Sequence, residues 1–292
     1  MILLTYGDTA DGAIGVKTGE GVLDLAAAAL EAGWPTPPTA RSVIDEGLAL
    51  LPRIVGLVAT TRGRPDLHRD EDALHFRPAV LHPPKIVCVG LNYRRHAAEA
   101  GLPMPPYPTV FSKFSNTLAG HRQPIAIKPI ATQYDYEVEL AVVIGRWAQD
   151  VSERSALDVV LGYATANDLT ARDLQMRTSQ WLLGKSFDGA LPLGPYLVTA
   201  DEVPDPQTLR LRTWVNGTLR QDGQTSEMIF GVRYLVHYLS RHMTLEPGDV
   251  ILTGTPEGVI AGRKDPVWLR PGDEVSVEVA GLGRLDTPLI AG

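Results

Sequence analysis

The segment Asp135-Tyr136-Glu137-Val138-Glu139 sets two glutamates at positions i and i+2. In a strand, side chains at that spacing share a face, and the rise per residue puts their Cα atoms about 6.8 Å apart. One cation between them could be gripped by both carboxylates at the roughly 2.0–2.1 Å that Mg²⁺ demands. The same pattern also occurs on a plain solvated strand face, because charged residues are mostly exposed. Its companions therefore carry the weight. Asp168, in Ala166-Asn167-Asp168-Leu169, follows a run of apolar and small residues and precedes a predicted helix. It reads either as an N-cap or as a third carboxylate. Three carboxylates with no His or Cys nearby make a hard, oxygen-rich set that suits Mg²⁺, Mn²⁺ or Ca²⁺ rather than zinc.

Three further segments offer acid–base and anion-binding groups. In Asn92-Tyr93-Arg94-Arg95-His96-Ala97-Ala98-Glu99, a helix would make His96 and Glu99 i,i+3 neighbours. A carboxylate there can orient the imidazole and raise its basicity, which suits a general base near neutral pH; the alternative is a surface ion pair of little consequence. Lys185, in Gly184-Lys185-Ser186-Phe187-Asp188, is either a solvated loop cation or, if buried beside a metal, a group that stabilises an oxyanion or delivers a proton. Thr255 closes Asp249-Val250-Ile251-Leu252-Thr253-Gly254-Thr255-Pro256, a turn that could offer a hydroxyl and an N–H to a substrate carboxylate.

The elements that must position these groups are mostly strands. Residues 1–70 read as a small α+β unit, with strands at 2–6, 13–17 and 21–24 punctuated by glycine and helices at 25–32 and 42–50. A connector at 71–84, rich in proline toward its end, leads into a second unit at 85–292. There, β-branched residues and period-2 alternation predict strands at 85–90, 138–144, 209–216, 249–253 and 274–279. Helices are predicted near 92–100, 169–183 and 226–242, the last with Ile229, Val232, Leu235, Val236 and Leu239 on one face. No βαβ repeat is present, which disfavours Rossmann and TIM-barrel architectures. The fold class expected is α+β and β-rich.

Composition excludes several functions. A formal charge of -7 gives no electrostatic reason to bind nucleic acid or anionic lipid. Cys88 is the only cysteine, so neither an intrachain disulfide nor a Cys-rich zinc site can form. It lies in the apolar run Ile86-Val87-Cys88-Val89 and reads as a buried small hydrophobe. The start, MILLTYGDTADG, lacks the basic region of a signal peptide. No apolar stretch approaches the roughly 18 to 20 residues that span a bilayer, and the protein is expected to be cytoplasmic.

Taken in order, these segments resemble the fumarylacetoacetate hydrolase family. The resemblance runs through Asn92 to Glu99, Asp135 to Ala141, Ala166 to Gln175, Gly184 to Asp188, Thr244 to Pro256 and Pro271-Gly272-Asp273-Glu274-Val275. It implies a mixed β-roll catalytic domain behind a small N-terminal domain, usually in a homodimer. It further implies that Glu137, Glu139 and Asp168 bind Mg²⁺ or Mn²⁺, and that His96 and Glu99 form a water-activating dyad. Lys185 would assist at the leaving enolate, and Arg172, Gln175 and Thr255 would contact a small 2-oxo acid substrate. The activity implied is hydrolysis of a C–C bond in an acylpyruvate, with 2-oxo acid decarboxylation or 2-hydroxydienedioate isomerisation on the same site as the alternative. Two positions depart from the pattern. His121 and Arg122 stand where many members carry proline and small residues, and either face the pocket or are solvated. Val89 occupies the region where some members carry a fourth acid ligand.

Overall fold

A computed structural model describes all 292 residues. Ten strands form one sheet, in the order His68–Arg69, Gly21–Asp24, Ala13–Thr18, Ile2–Tyr6, Leu197–Thr199, Val160–Asn167, Val138–Ile144, Val250–Leu252, Ile86–Gly90 and Thr109–Ser112. A second sheet of five runs Thr218–Gln224, Arg210–Val215, Glu274–Val279, Gly283–Ala291 and Ile125–Ile127. Most neighbours are antiparallel, but Val250–Leu252 lies parallel to Ile86–Gly90 and Gly283–Ala291 parallel to Ile125–Ile127. The architecture is thus the β-rich α+β fold that the patterning implied, with the mixed sheets that the family resemblance implied.

The central strand shows why the roll is stable. All seven residues of Val138–Ile144 are buried. Val138, Leu140, Val142 and Ile144 point into a core shared with Leu211, Val275 and Val277 of the five-stranded sheet. Ala141 and Val143 point the other way, into a core shared with Leu3, Leu23 and Ile54 of the N-terminal segment. A strand covered on both faces has no solvent side, so nearly every position is apolar. Glu139 shares the Ala141–Val143 face and is the conspicuous exception.

The N-terminal strands join the sheet through Ile2–Tyr6, which pairs antiparallel with Leu197–Thr199. One sheet therefore runs from residues 2–24 into residues beyond 85. No helix is long and apolar enough to cross a membrane.

Three helix expectations are corrected. The helix predicted at 226–242 begins only at Val232, leaving Ile229 outside it, because Asn92 takes the N–H groups of Ile229 and Phe230. The predicted helix at 42–50 is Ala40–Glu46 followed by a short 3₁₀ turn, and a further helix, Leu51–Thr60, begins at once. Pro52 sits in the first turn of that helix, where its missing N–H costs nothing. The predicted helix at 169–183 is instead two single turns, Arg172–Gln175 and Leu182–Lys185. Between them Thr178 bonds its own neighbourhood, donating to the Gln180 carbonyl at 3.0 Å and accepting the Gln180 N–H at 3.3 Å. Such local bonds compete with the helical ladder.

Candidate active site

Strand pairing builds the acidic cluster. The Asp168 N–H donates to the Glu137 carbonyl at 2.9 Å, and the Glu137 N–H donates to Asn167 Oδ1 at 3.1 Å. These bonds lock the end of Val160–Asn167 against the entry to Val138–Ile144. Glu137 itself stands one residue before the strand rather than inside it. Even so, the carboxylates of Glu137, Glu139 and Asp168 are all buried, and each offers an oxygen within 4.8 Å of the others. The N-cap reading of Asp168 does not hold. The next helix starts at Arg172 with no side-chain cap, and Asp168 instead receives two ammonium groups.

The electrostatics of the cluster leave one acid uncompensated. Lys185 Nζ lies 2.7 Å from both Glu137 Oε2 and Asp168 Oδ2. Lys113 Nζ lies 2.6 Å from Asp168 Oδ1. Arg172 reaches Asp135 and Glu137 at 2.9 and 2.7 Å. Burial opposes the charged form of Glu137, yet Lys185 and Arg172 outweigh it and hold the carboxyl down to about 2. Glu139 has no such cation. Burial, then the charges of Asp168 and Glu137, push its carboxyl well above the ordinary range, against the more distant Lys185 charge and one N–H bond of 2.7 Å from Gly254. Gly254 adopts φ +96°, a conformation open to glycine, and a Cβ there would meet Asn92 Cβ at 2.9 Å.

A hard divalent cation fits this donor set. It would supply the charge that Glu139 lacks, and a carboxylate oxygen that accepts one N–H still has a lone pair to offer. Glu137, Glu139 and Asp168 are the residues that would hold it.

The dyad lines the same cavity as Glu137 and Glu139. His96 and Glu99 lie on the helix Arg94–Glu99, with His96 Nδ1 3.3 Å from Glu99 Oε2. An ionised carboxylate only accepts, so Nδ1 carries the proton and Nε2 is the basic atom of the neutral ring. Glu99 is held in turn by the Gly258 N–H at 3.1 and 3.2 Å. It lies so close to Gly262 that a Cβ there would fall 2.2 Å from Glu99 Cδ.

A cavity of about 530 Å³ joins the parts. His96, Glu99, Glu137, Glu139, Lys185 and Thr255 line it, as do Arg172 and Gln175, whose side chains bond each other at 3.1 Å. Asp168 lies behind Lys185 and does not line it. One wall is aromatic, with Phe111 and Trp181 edge-on at 5.3 Å and Trp268 nearby. His121 and Arg122 do not face this cavity. They line a separate cleft with Lys17, Glu71 and Tyr196, and His121 Nδ1 accepts the Asp286 N–H.

Sequence reasoning missed Lys113, Asp135 and Gln221. Lys113 is a lone cation in Val110-Phe111-Ser112-Lys113-Phe114, a faint signal of a buried charge. Its side chain is fully buried against Asp168. Lys113→Met should therefore cost about 1.5–3 kcal/mol of stability by leaving Asp168 Oδ1 without its charged donor, while Lys185 still holds Oδ2. Urea unfolding of the cation-free protein checks this, and a loss below about 1 kcal/mol, typical of a surface pair, would refute it.

Residues 85–290 match the family model described as fumarylacetoacetate (FAA) hydrolase C-terminal. The chain is 42% identical over 275 residues to the human mitochondrial oxaloacetate tautomerase FAHD2A, covering 92% of this chain and 85% of that one. It is also similar to the fumarylacetoacetate hydrolase of the psychrophile Exiguobacterium antarcticum, with TM-score 0.81, 34% identity and full coverage of both chains. The maleylpyruvate hydrolase of Sphingobium sp. SYK-6, solved in complex with manganese(II) and pyruvate, superposes with TM-score 0.78 at 29% identity, again over both whole chains.

Proposed function

This chain belongs to the fumarylacetoacetate hydrolase family, and from that premise we propose that it is a divalent-cation-dependent enzyme moving a proton on a small 2-oxo acid, with keto–enol tautomerisation of oxaloacetate as its first reaction. The observation that carries the reading is a single cavity lined by a His–Glu dyad and by Glu137 and Glu139, two members of a buried cluster of three carboxylates that Asp168 completes from behind. A bound Mg²⁺ or Mn²⁺ would supply Lewis acidity toward a chelating 2-oxo acid. His96, its Nδ1–H held by Glu99, presents Nε2 as the base that takes a proton beside the 2-oxo carbon. Burial works against the Lys185 ammonium, but Asp168 and Glu137 raise its affinity for the proton above the ordinary lysine value. Lys185 therefore acts as a fixed positive charge toward a developing oxyanion and not as a base. Arg172 is committed to Asp135 and Glu137, which leaves Gln175 and Thr255 as the freer contacts for substrate.

Tautomerisation ranks first because the 42%-identical relative bears that name and because it needs only a base, a stabilised oxyanion and the return of the proton from the His96 imidazolium to the enolate oxygen. Hydrolytic cleavage of an acylpyruvate is the second reading. The dyad favours it, since a base oriented by a carboxylate can also deprotonate water, and the maleylpyruvate hydrolase shares the fold.

A substrate panel tests the choice. Protein loaded with Mg²⁺ or Mn²⁺ should speed the keto–enol conversion of oxaloacetate, followed by the ultraviolet absorbance of the enol. Release of pyruvate from acetylpyruvate or fumarylpyruvate without that acceleration would promote the hydrolase reading. Inactivity on all three compounds would remove both.

A further inference from the structure

Gln221 lies on the strand Thr218–Gln224 of the five-stranded sheet and is 1% exposed. Its amide makes four hydrogen bonds, two on each end. Oε1 accepts the Val138 N–H at 3.1 Å and the Thr213 hydroxyl at 2.7 Å. Nε2 donates to Thr255 Oγ1 and to the Pro256 carbonyl, both at 2.9 Å. Amide orientation is ordinarily ambiguous, but here two neighbours have only one role each. A backbone N–H can only donate and a backbone carbonyl can only accept. Turning the amide over would set N–H against N–H at Val138 and C=O against C=O at Pro256. The orientation is therefore determined by the backbone, and with it the polarity at Thr255.

A hydroxyl has one proton and two lone pairs. Thr255 Oγ1 spends a lone pair on Gln221 and donates to no group of the protein, while Thr255 lines the cavity. Its proton is left for a ligand. The same glutamine also holds the peptide of Val138, which sits between Glu137 and Glu139. The anchor for a substrate and the two glutamates of the acidic cluster are thus tied to one side chain.

We propose that Gln221 is a positioning residue that, by occupying a lone pair of the Thr255 hydroxyl, turns its proton toward the cavity, so that this part of the cavity favours an acceptor such as a carboxylate oxygen. The proposal rests on the reading of the cavity as a 2-oxo acid site. It names the residue, 34 positions away, that orients the Thr255 hydroxyl.

The test uses oxalate as probe on the Mn²⁺-loaded protein, measured by calorimetry. Thr255→Val and Gln221→Met should each weaken oxalate by about 10- to 100-fold, the worth of a hydrogen bond to a charged group. Thr255→Ser should restore wild-type affinity to within about 3-fold, being inside the spread of a retained bond. At saturating Mn²⁺, which removes any effect passed through the Val138 peptide to the acids, the double variant Gln221→Met/Thr255→Val should bind no more weakly than Thr255→Val alone, because one residue acts through the other. Fully additive losses would mean that Gln221 acts by general support of the fold, and would overturn the proposal. Should Gln221→Met fail to fold, neutron diffraction of the deuterated wild type decides instead. The expected map has both Nε2 deuterons on Thr255 and Pro256, and the Thr255 deuteron aimed into the cavity. A Thr255 deuteron directed at Gln221 would refute it. Failure of oxalate to bind wild-type protein would sink the functional reading, while the deuteron positions would still decide this one.

Discussion

His96→Ala should lower kcat by about 10² to 10⁴, the usual worth of a positioned general base, while Mn²⁺ affinity should stay at the wild-type level. The two halves follow from where the residue sits. His96 lines the cavity and shares its Nδ1 proton with Glu99, so removing the ring removes the group whose Nε2 takes the proton. The acids proposed to hold the cation are Glu137, Glu139 and Asp168, and no histidine is among them. Glu99→Gln should follow with a smaller loss, because the carboxamide can still accept from Nδ1 but no longer stabilises the imidazolium. The measurement is steady-state turnover of oxaloacetate and acetylpyruvate, with Mn²⁺ binding followed separately by electron paramagnetic resonance. A His96→Ala protein that keeps full activity on every substrate would remove the general-base role. One that loses Mn²⁺ would put the histidine in the cation site instead.

Removing the divalent cation should abolish turnover, and its affinity should rise with pH. The sign comes from Glu139. Burial, Asp168 and Glu137 raise the pKa of that carboxyl in the folded, cation-free protein. A carboxyl raised in the folded state contributes stability that is present below its unfolded value, about 4.3, and is lost as pH climbs through the folded value. A cation needs the carboxylate, so binding expels a proton and strengthens over that same climb. The gain in melting temperature on adding Mg²⁺ or Mn²⁺ should then be larger at mildly alkaline than at mildly acidic pH. Glu139→Gln separates the two effects. It removes the buried charge and should stabilise the cation-free protein at alkaline pH, while weakening the cation by about 100-fold or more. A cation-free Glu139→Gln protein less stable than wild type at alkaline pH would show that the carboxylate is compensated some other way.

Much of the site was legible because its parts are local. The dyad depends on i,i+3 spacing within one short helix, and the helix Arg94–Glu99 forms where the spacing implied. The Glu137–Glu139 pair depends on period 2 around the strand Val138–Ile144, found at its expected bounds. Asp168 carried two readings from sequence, cap or ligand, and its neighbours in space remove the first. The N–H groups it would have capped belong to a helix beginning four residues later, and its oxygens are taken by Lys113 and Lys185. Likewise nothing in the text around His121 says which cleft it faces. That is set by the backbone N–H of Asp286, 165 residues away.

What the sequence determined by itself was the donor chemistry and the family. Hard oxygen ligands, an imidazole with its carboxylate and a β-rich chain all follow from residue types at short spacing, where the periods of helix and strand decide which side chains meet. What only the tertiary structure decided was how the charges are balanced and which way the polar groups point. Lys113 meets Asp168 across 55 residues, and Gln221 meets Val138 across 83. Those meetings depend on the order of strands in two sheets, in which neighbours need not be sequential. Burial then makes each long-range partner consequential, because a charge or amide removed from water must find its complement wherever the fold places one.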